Sequence, residues 1–120
     1  MSTSREAVLV DHLKANPPKG FPSLVAENWE VVPGRSQNGV GDLVFASPYD
    51  QFLVVEVKAL HPGSGSTARA SRTKARSDVA RQVRYYGRCW AERYPHNEVY
   101  CQCFVGQTPE DATFGERLRV

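Results

Sequence analysis

The sequence predicts a small α/β sandwich in which helices flank a mixed sheet. Three observations support this fold class: a helical pattern near the N-terminus, apolar stretches of strand length in the middle, and a long helical pattern followed by one further apolar stretch. The chain has 120 residues, of which 41% are hydrophobic and 23% charged. Such a size and composition suit one globular domain, so we expect residues 1–120 to form a single domain.

The N-terminal third is predicted to hold one helix and one strand. Apolar side chains at helical spacing indicate a helix from Ser4, which can cap it, to Ala15. The prolines of Asn16 to Pro22 end that helix. A short helical turn over Ser23 to Glu27 and a first strand over Asn28 to Val32 are expected next. The turn formers of Pro33 to Gly41 then indicate a loop.

The middle of the chain is predicted to form two strands and a loop. The strands cover Asp42 to Ala46 and Gln51 to Leu60, with a tight turn between them. The stretch from His61 to Ser71 is rich in glycine and serine and indicates a mobile loop. We expect this loop either to close over a substrate or to stay disordered until a substrate binds.

The C-terminal part is predicted to hold a long helix and a fourth strand. The helix covers Arg72 to Arg93, and the strand covers Glu98 to Gly106. One apolar stripe marks the helix, with members at i, i+4, i+7 and i+11: Val79, Val83, Tyr86 and Trp90. The tail over 107–120 suits either a final helical turn or an edge strand.

Charged residues interrupt the apolar strands of the central hairpin. Side chains alternate between the two faces of a strand, so Glu56 and Lys58 share a face with Phe52 and Val54. Asp42 and Glu56 are equally far from Tyr49, at the centre of the turn, so they are expected to lie opposite each other. Directly opposed residues have Cβ atoms about 4.5–5.5 Å apart. A slip of one residue in the register would place the two acids on opposite faces.

Two facing carboxylates repel each other, so either a positive charge lies between them or one of them holds a proton. A Mg²⁺ ion suits such a pair, because it prefers oxygen ligands and often binds one or two carboxylates together with water and phosphate. Lys58 can then orient water or stabilise charge on a phosphate. The alternative is that Glu56 and Lys58 lie on a solvent face and that Asp42 is a turn residue. The apolar Phe52 and Val54 on the same face weaken that alternative.

The segments "GD" at Gly41–Asp42 and "EVK" at Glu56–Lys58, in this order of elements, resemble the PD-(D/E)XK nuclease superfamily. The layout is most similar to its small Holliday-junction-resolvase-like and RecB-like members. The resemblance implies a restriction-endonuclease-like fold with an αβββαβ core. It also implies that Asp42, Glu56 and the carbonyl of Val57 bind the metal and that Lys58 is the catalytic lysine. In this chain Val40 and Gly41, with no proline, precede Asp42, which leaves the subgroup open.

The resemblance extends to two further places. Members often add a glutamate from the first helix, and Glu6 matches it, with Glu27 as the alternative. The RecB-like branch carries a Gln-x-x-x-Tyr motif on the helix after the lysine strand, and Gln82 and Tyr86 match that motif one helical turn apart. An ordinary core tyrosine beside a boundary glutamine is the alternative interpretation of this pair.

Positive charge concentrates in the segment between His61 and Cys89, where Asp78 is the one acid. Its basic residues are Arg69, Arg72, Lys74, Arg76, Arg81, Arg84 and Arg88. Because this segment follows the lysine strand, we expect it to contact a nucleic-acid backbone in a salt-dependent way. Recognition of backbone or DNA shape is expected rather than of base sequence. A solvated helix face is the alternative.

These observations predict a Mg²⁺- or Mn²⁺-dependent DNA endonuclease rather than an exonuclease. The alternative is a non-catalytic nucleic-acid-binding or assembly module that retains the fold, and RNA remains open as a substrate. A homodimer or a guiding protein partner is expected, because one small domain leaves no room for a targeting domain. The chain shows no secretory signal and no apolar run of about 20 residues. It has three cysteines without repeating spacing, so an intracellular location, cytoplasm or nucleus, is expected.

Overall fold

Two helices cover the two faces of a six-stranded mixed sheet in the computed structural model, which describes residues 4–120. The elements are α1 (Arg5–Ala15), β1 (Ser23–Glu30), β2 (Val40–Ala46), β3 (Phe52–Ala59), α2 (Ser66–Arg93), β4 (Val99–Gly106), β5 (Thr113–Phe114) and β6 (Leu118–Arg119), with a 3₁₀ turn at Ser36–Asn38. The strand order is β1-β2-β3-β4-β5, and β6 also pairs with β4. Strands β3 and β4 are parallel, whereas the other pairs are antiparallel. The predicted α/β class is therefore confirmed.

Both predicted helices form, and each buries the apolar stripe that its sequence carries. Ser4 caps α1, because its Oγ accepts a hydrogen bond of 3.0 Å from the Ala7 amide. Leu9 and Leu13 of α1 are fully buried. The predicted stripe of α2 is also buried: Val79, Val83, Tyr86 and Trp90. No helix within residues 4–120 combines the length and apolar character needed to cross a membrane.

The predicted alternation along β3 is confirmed by the two cores. Leu53 and Val55 belong to the core under α1, whereas Val54 belongs to the core under α2. Strand β2 pairs with β3 so that Leu43 faces Val55. In the same antiparallel register, the next residues toward the open end, Asp42 and Glu56, are opposite each other. The hairpin register predicted around Tyr49 is therefore also confirmed.

The prediction for the first strand is wrong. Residues Ser23 to Glu27 form strand rather than a helical turn, and β1 ends at Glu30 instead of continuing to Val32. β1 is an edge strand whose side chains are mostly exposed, so it lacks the apolar alternation that marks a buried strand. The alternation of side chains along β1 is also irregular. Ala26 and Trp29 both pack toward α2, although residues three apart on a regular strand point to opposite faces. The change coincides with Asn28, which has a left-handed φ of 49°.

Two further boundaries differ from those predicted. Strand β2 begins at Val40 rather than Asp42, so part of the predicted loop is strand. Helix α2 begins at Ser66, which makes residues 66–71 helical and shortens the predicted loop to 61–65. Alanine and serine in that stretch are compatible with helix, and extending a formed helix costs less than starting one. In the tail, β5 and β6 confirm the edge-strand alternative.

Candidate active site

Asp42 and Glu56 meet at the open end of the β2–β3 hairpin, away from its turn. Gly41 precedes Asp42 because the ring of Trp29 occupies the space beside it. A Cβ atom at Gly41 would lie 2.3 Å from Trp29 Nε1, closer than any real contact. The glycine therefore lets β2 approach the Trp29 ring, and the next residue, Asp42, is held beside Glu56.

The two carboxylates are tied to each other's strands by reciprocal hydrogen bonds. Glu56 Oε2 accepts a bond of 3.1 Å from the Asp42 amide. Asp42 Oδ2 accepts a bond of 2.8 Å from the Val57 amide. Both side chains are thereby fixed by backbone atoms, so their relative position follows from the hairpin register.

Glu56 is the most unusual group of the site. Its side chain is only 3% exposed, and its Oε1 atom has no hydrogen-bond partner. Burial raises the pKa of Glu56 to about 10, with further contributions from the hydrogen bond and the charge of Asp42. Without a compensating cation, Glu56 is therefore protonated at neutral pH.

Lys58, two residues after Glu56, forms an ion pair with α1. Its Nζ lies 3.3 Å from Glu6 Oε1, and both side chains are partly exposed. Of the two predicted acids, the structure thus brings Glu6 to the lysine. Glu27 instead pairs with Lys14 at 2.9 Å, at the other end of α1.

Gln82 and Tyr86 lie on the α2 side of the same site. Gln82 Nε2 donates a hydrogen bond of 3.0 Å to Tyr86 Oη. Burial raises the pKa of Tyr86, and the charges of Glu56 and Asp42 raise it further, which indicates that the phenol lies close to the carboxylates. Gly39, with φ of 123°, borders this phenol, since a Cβ there would lie 2.6 Å from Tyr86 Oη. The sequence indicates only a turn former at Gly39 and does not predict this contact with Tyr86.

A groove of about 570 Å³ opens beside Lys58 and runs along α2. We call it the Lys58 groove, and its charged and polar lining consists of Arg5, Lys58, His61, Lys74, Asp78 and Gln82, together with Ser71. Apart from Asp78, the ionisable side chains in this lining are basic or histidine. An extended anion such as a phosphate chain fits these charges. Asp42 and Glu56 do not line the groove, and Glu56 precedes Lys58 by two residues on β3.

The predicted basic segment does not act as one surface. Of its members, only Lys74 lines the Lys58 groove. Lys74 and Arg81 both pair with Asp78, at 2.7 and 2.8 Å. Arg72 donates a bond of 2.8 Å to the Gly63 carbonyl, so it holds the loop before α2.

The remaining arginines of the segment point elsewhere. Arg84 and Arg88 line a different groove, against β4 and β6. Arg69 and Arg76 are exposed on α2 and make no ion pair with any residue in 4–120. Spacing along one helix cannot separate these groups, because it does not reveal which flank of α2 faces which strand.

The donor atoms of the site fit a hard divalent cation. Among residues 4–120, no three His, Cys, Asp or Glu side chains are grouped as a ready metal cage. The available set is the carboxylate pair of Asp42 and Glu56, with the Val57 carbonyl as the third predicted ligand. Mg²⁺ commonly binds one or two carboxylates and keeps several waters. The buried, unpartnered Oε1 of Glu56 is the observation that such an ion would explain.

No protein-family model matches this chain, and no curated protein matches it in a sequence search. The geometry of the site and the motif resemblance are therefore the observations that bear on function.

Proposed function

We propose that this protein is a Mg²⁺- or Mn²⁺-dependent nuclease of the PD-(D/E)XK type, with a restriction-endonuclease-like core, which hydrolyses DNA phosphodiester bonds. The main support is the meeting of Asp42 and Glu56 at the open end of the hairpin, where a buried carboxylate oxygen has no partner. A pair of acids of which one, Glu56, is buried lowers stability unless something compensates it, which favours a functional role.

Each residue of the site has a distinct task in this proposal. Asp42 and Glu56 hold the metal, which when bound polarises the phosphate and lowers the pKa of a bound water. Lys58 neutralises charge that develops on the phosphate, and Glu6 orients its ammonium group. Tyr86 and Gln82 form the wall of the site on the α2 side. The Lys58 groove receives the phosphate chain through its basic lining.

A non-catalytic nucleic-acid-binding module is the second candidate. It is favoured by the absence, within residues 4–120, of a group of three or more side chains suited to hold a metal. Such a module would bind DNA without cutting it, whatever cation is present. RNA is a further possible substrate, because phosphate contacts do not distinguish the two nucleic acids.

The test is cleavage of plasmid, single-stranded, flap and four-way-junction DNA, and of a matching RNA, in Mg²⁺, Mn²⁺ or EDTA. Asp42→Asn and Lys58→Met are each expected to lower the cleavage rate on the order of 100-fold or more, because the first removes a charge that holds the metal and the second removes one that stabilises the transition state. EDTA is expected to abolish cleavage. A second readout is thermal unfolding, since Mn²⁺ should raise the Tm of the wild type but not that of Asp42→Asn.

The Lys14–Glu27 ion pair supplies matched controls, because it resembles Lys58–Glu6 in chemistry and exposure but lies at the other end of α1. Lys14→Met and Glu27→Gln should retain wild-type cleavage. Cleavage that persists in EDTA or survives Asp42→Asn would refute the proposed mechanism. Salt-sensitive binding without cleavage would favour the second candidate.

A further inference from the structure

We propose that a second groove on the far side of α2 binds the other strand of a DNA duplex whose first strand lies in the Lys58 groove. This inference rests on the proposed function and adds a substrate-binding surface to it. The second groove, here named the arginine groove, has a volume of about 250 Å³. It is lined by Arg84, Arg88, Cys101, Leu118, Arg119 and Val120.

Three guanidinium groups line this groove, and one acid, Glu116, lies beside it next to Arg84. Arg84 and Arg88 lie one turn apart on α2, and Arg119 approaches from β6. Within residues 4–120, neither Arg84 nor Arg88 forms an ion pair, and Arg119 has only a 3.5 Å contact with Glu98. Like charges at this spacing repel each other, so a bound anion would lower the energy of the arrangement.

The floor of the arginine groove is apolar, with the buried Cys101 and the half-buried Leu118 between the guanidinium groups. An apolar floor lowers the local dielectric constant and so strengthens the attraction between arginine and phosphate. Arginine also bonds phosphate with two parallel N–H groups, which lysine cannot do. The chemistry of the groove therefore fits phosphate groups of a nucleic-acid backbone.

Helix α2 separates the two grooves. Its buried stripe packs on the sheet, Lys74, Asp78 and Gln82 border the Lys58 groove on one flank, and Arg84 and Arg88 border the arginine groove on the other. A helix with its side chains is about 10–12 Å wide. A single phosphate chain that follows one flank does not reach the other without crossing the helix.

The two strands of a B-DNA duplex are separated by a distance that matches the width of this helix. The major groove of B-DNA is about 12 Å wide and admits one α-helix, so a helix lying there has a phosphate backbone on each side. The exposed face of α2 opposite its buried stripe begins with the small Ala70 and Ser77 and continues at helical spacing into Arg81, Arg84 and Arg88. The small side chains permit close approach to DNA along the N-terminal half of this face. Arg84 and Arg88 extend from it toward the arginine groove, and Lys74 borders the Lys58 groove, so each backbone meets basic residues.

The test compares binding of a fluorescent 20-base-pair duplex and of one of its single strands, measured by anisotropy in EDTA over a series of salt concentrations. The test protein is the double variant Arg84→Gln/Arg88→Gln. Its matched control is Lys19→Gln/Arg35→Gln, which removes two exposed positive charges outside both grooves. The arginine variant is expected to bind duplex about tenfold more weakly and to lower the slope of log K against log salt by about 2. Its affinity for the single strand should change less than about twofold.

The proposal is overturned if the control weakens duplex binding as much as the arginine variant, or if the variant binds duplex like the wild type. Equal losses for duplex and single strand would also overturn it, since one strand would then contact both flanks. Because the four substituted residues are exposed, unchanged thermal unfolding is the check on folding. Binding in EDTA does not depend on cleavage, so a wild type that cuts no DNA would refute the proposed function while the affinities still decide this inference.

Discussion

The two ends of the β2–β3 hairpin differ in whether their polar side chains have hydrogen-bond partners. At the turn end, Ser47 Oγ accepts hydrogen bonds of 3.1 Å from the amides of Tyr49 and Gln51. It also donates a bond to Gln51 Oε1, and Gln51 Nε2 donates one of 2.6 Å to Glu98. The polar side chains there are matched donor to acceptor.

At the open end, two acids lie together, and one carboxylate oxygen is buried without a partner. Both ends belong to the same two strands, so the difference does not come from strand propensity. The turn end fixes the register of the hairpin. The open end uses that register to hold a charge arrangement that lowers the stability of the fold, which is typical of functional sites.

The largest effect is expected for Glu56→Gln, measured as the free energy of unfolding in EDTA. The folded protein keeps a proton on Glu56 up to a pH of about 10, whereas the unfolded chain releases it above its ordinary pKa of 4.5. The folded state therefore binds more protons in this window, and the wild type loses stability as the pH rises through it. Glutamine removes this loss, so the variant should exceed the wild type by at least about 2 kcal/mol at pH 9 and by little at pH 4.

Glu27→Gln is the control for this measurement, because Glu27 is exposed and lies in an ion pair at the other end of α1. The difference in free energy of unfolding between Glu27→Gln and the wild type should not rise comparably with pH. Equal pH dependence of the wild type and Glu56→Gln would show that Glu56 ionises normally.

Gly41→Ala is expected to lower the free energy of unfolding by about 1–3 kcal/mol, the usual cost of overpacking. The added methyl group would overlap the Trp29 ring, which also packs on Trp90 and lies under the guanidinium group of Arg93. Cleavage should fall as well, because Asp42 is the next residue. Chemical denaturation measures the loss, and Trp29→Phe in the same chain should recover part of it. A stable, fully active Gly41→Ala protein would contradict this packing.

The smallest effect is expected for Ser47→Ala at the turn end. It should lower the free energy of unfolding by about 1 kcal/mol, because two amides lose their acceptor but remain near solvent. The rate of DNA cleavage should stay within about twofold of the wild-type rate. A loss of cleavage without a loss of stability would show that the two ends are not independent.

The parts of the fold that the sequence predicts well are those whose side chains report burial directly. The alternation of Val54, Glu56 and the residues between them identified β3, and the distances from Tyr49 identified its register with β2. The stripe from Val79 to Trp90 identified the buried face of α2 in the same way. These features depend on local periodicity, which a single chain displays.

The features that the sequence could not provide depend on contacts between distant residues. Strand β1 is exposed and irregular, so its pattern carries no burial signal. The sequence favours Glu6 over Glu27 only through its place on the first helix, and the packing of α1 on the sheet is what brings Glu6 to Lys58. The placement of Arg84 and Arg88 in a groove apart from that of Lys74 likewise follows from where β4 and β6 lie.

The connection between β3 and α2 has a consequence for the thermodynamics of association. Arg5 donates a bond of 2.7 Å to the Leu60 carbonyl, and Arg72 bonds the Gly63 carbonyl, so guanidinium groups from both helices hold this segment beside the Lys58 groove. Ordering a flexible segment costs about 1–2 kcal/mol of backbone entropy per residue. Because this segment is already ordered in the folded protein, the entropy is lost during folding and not during binding. A ligand that enters the groove therefore contacts a preformed surface. Association should therefore lack the large negative heat-capacity change that accompanies coupled folding and binding.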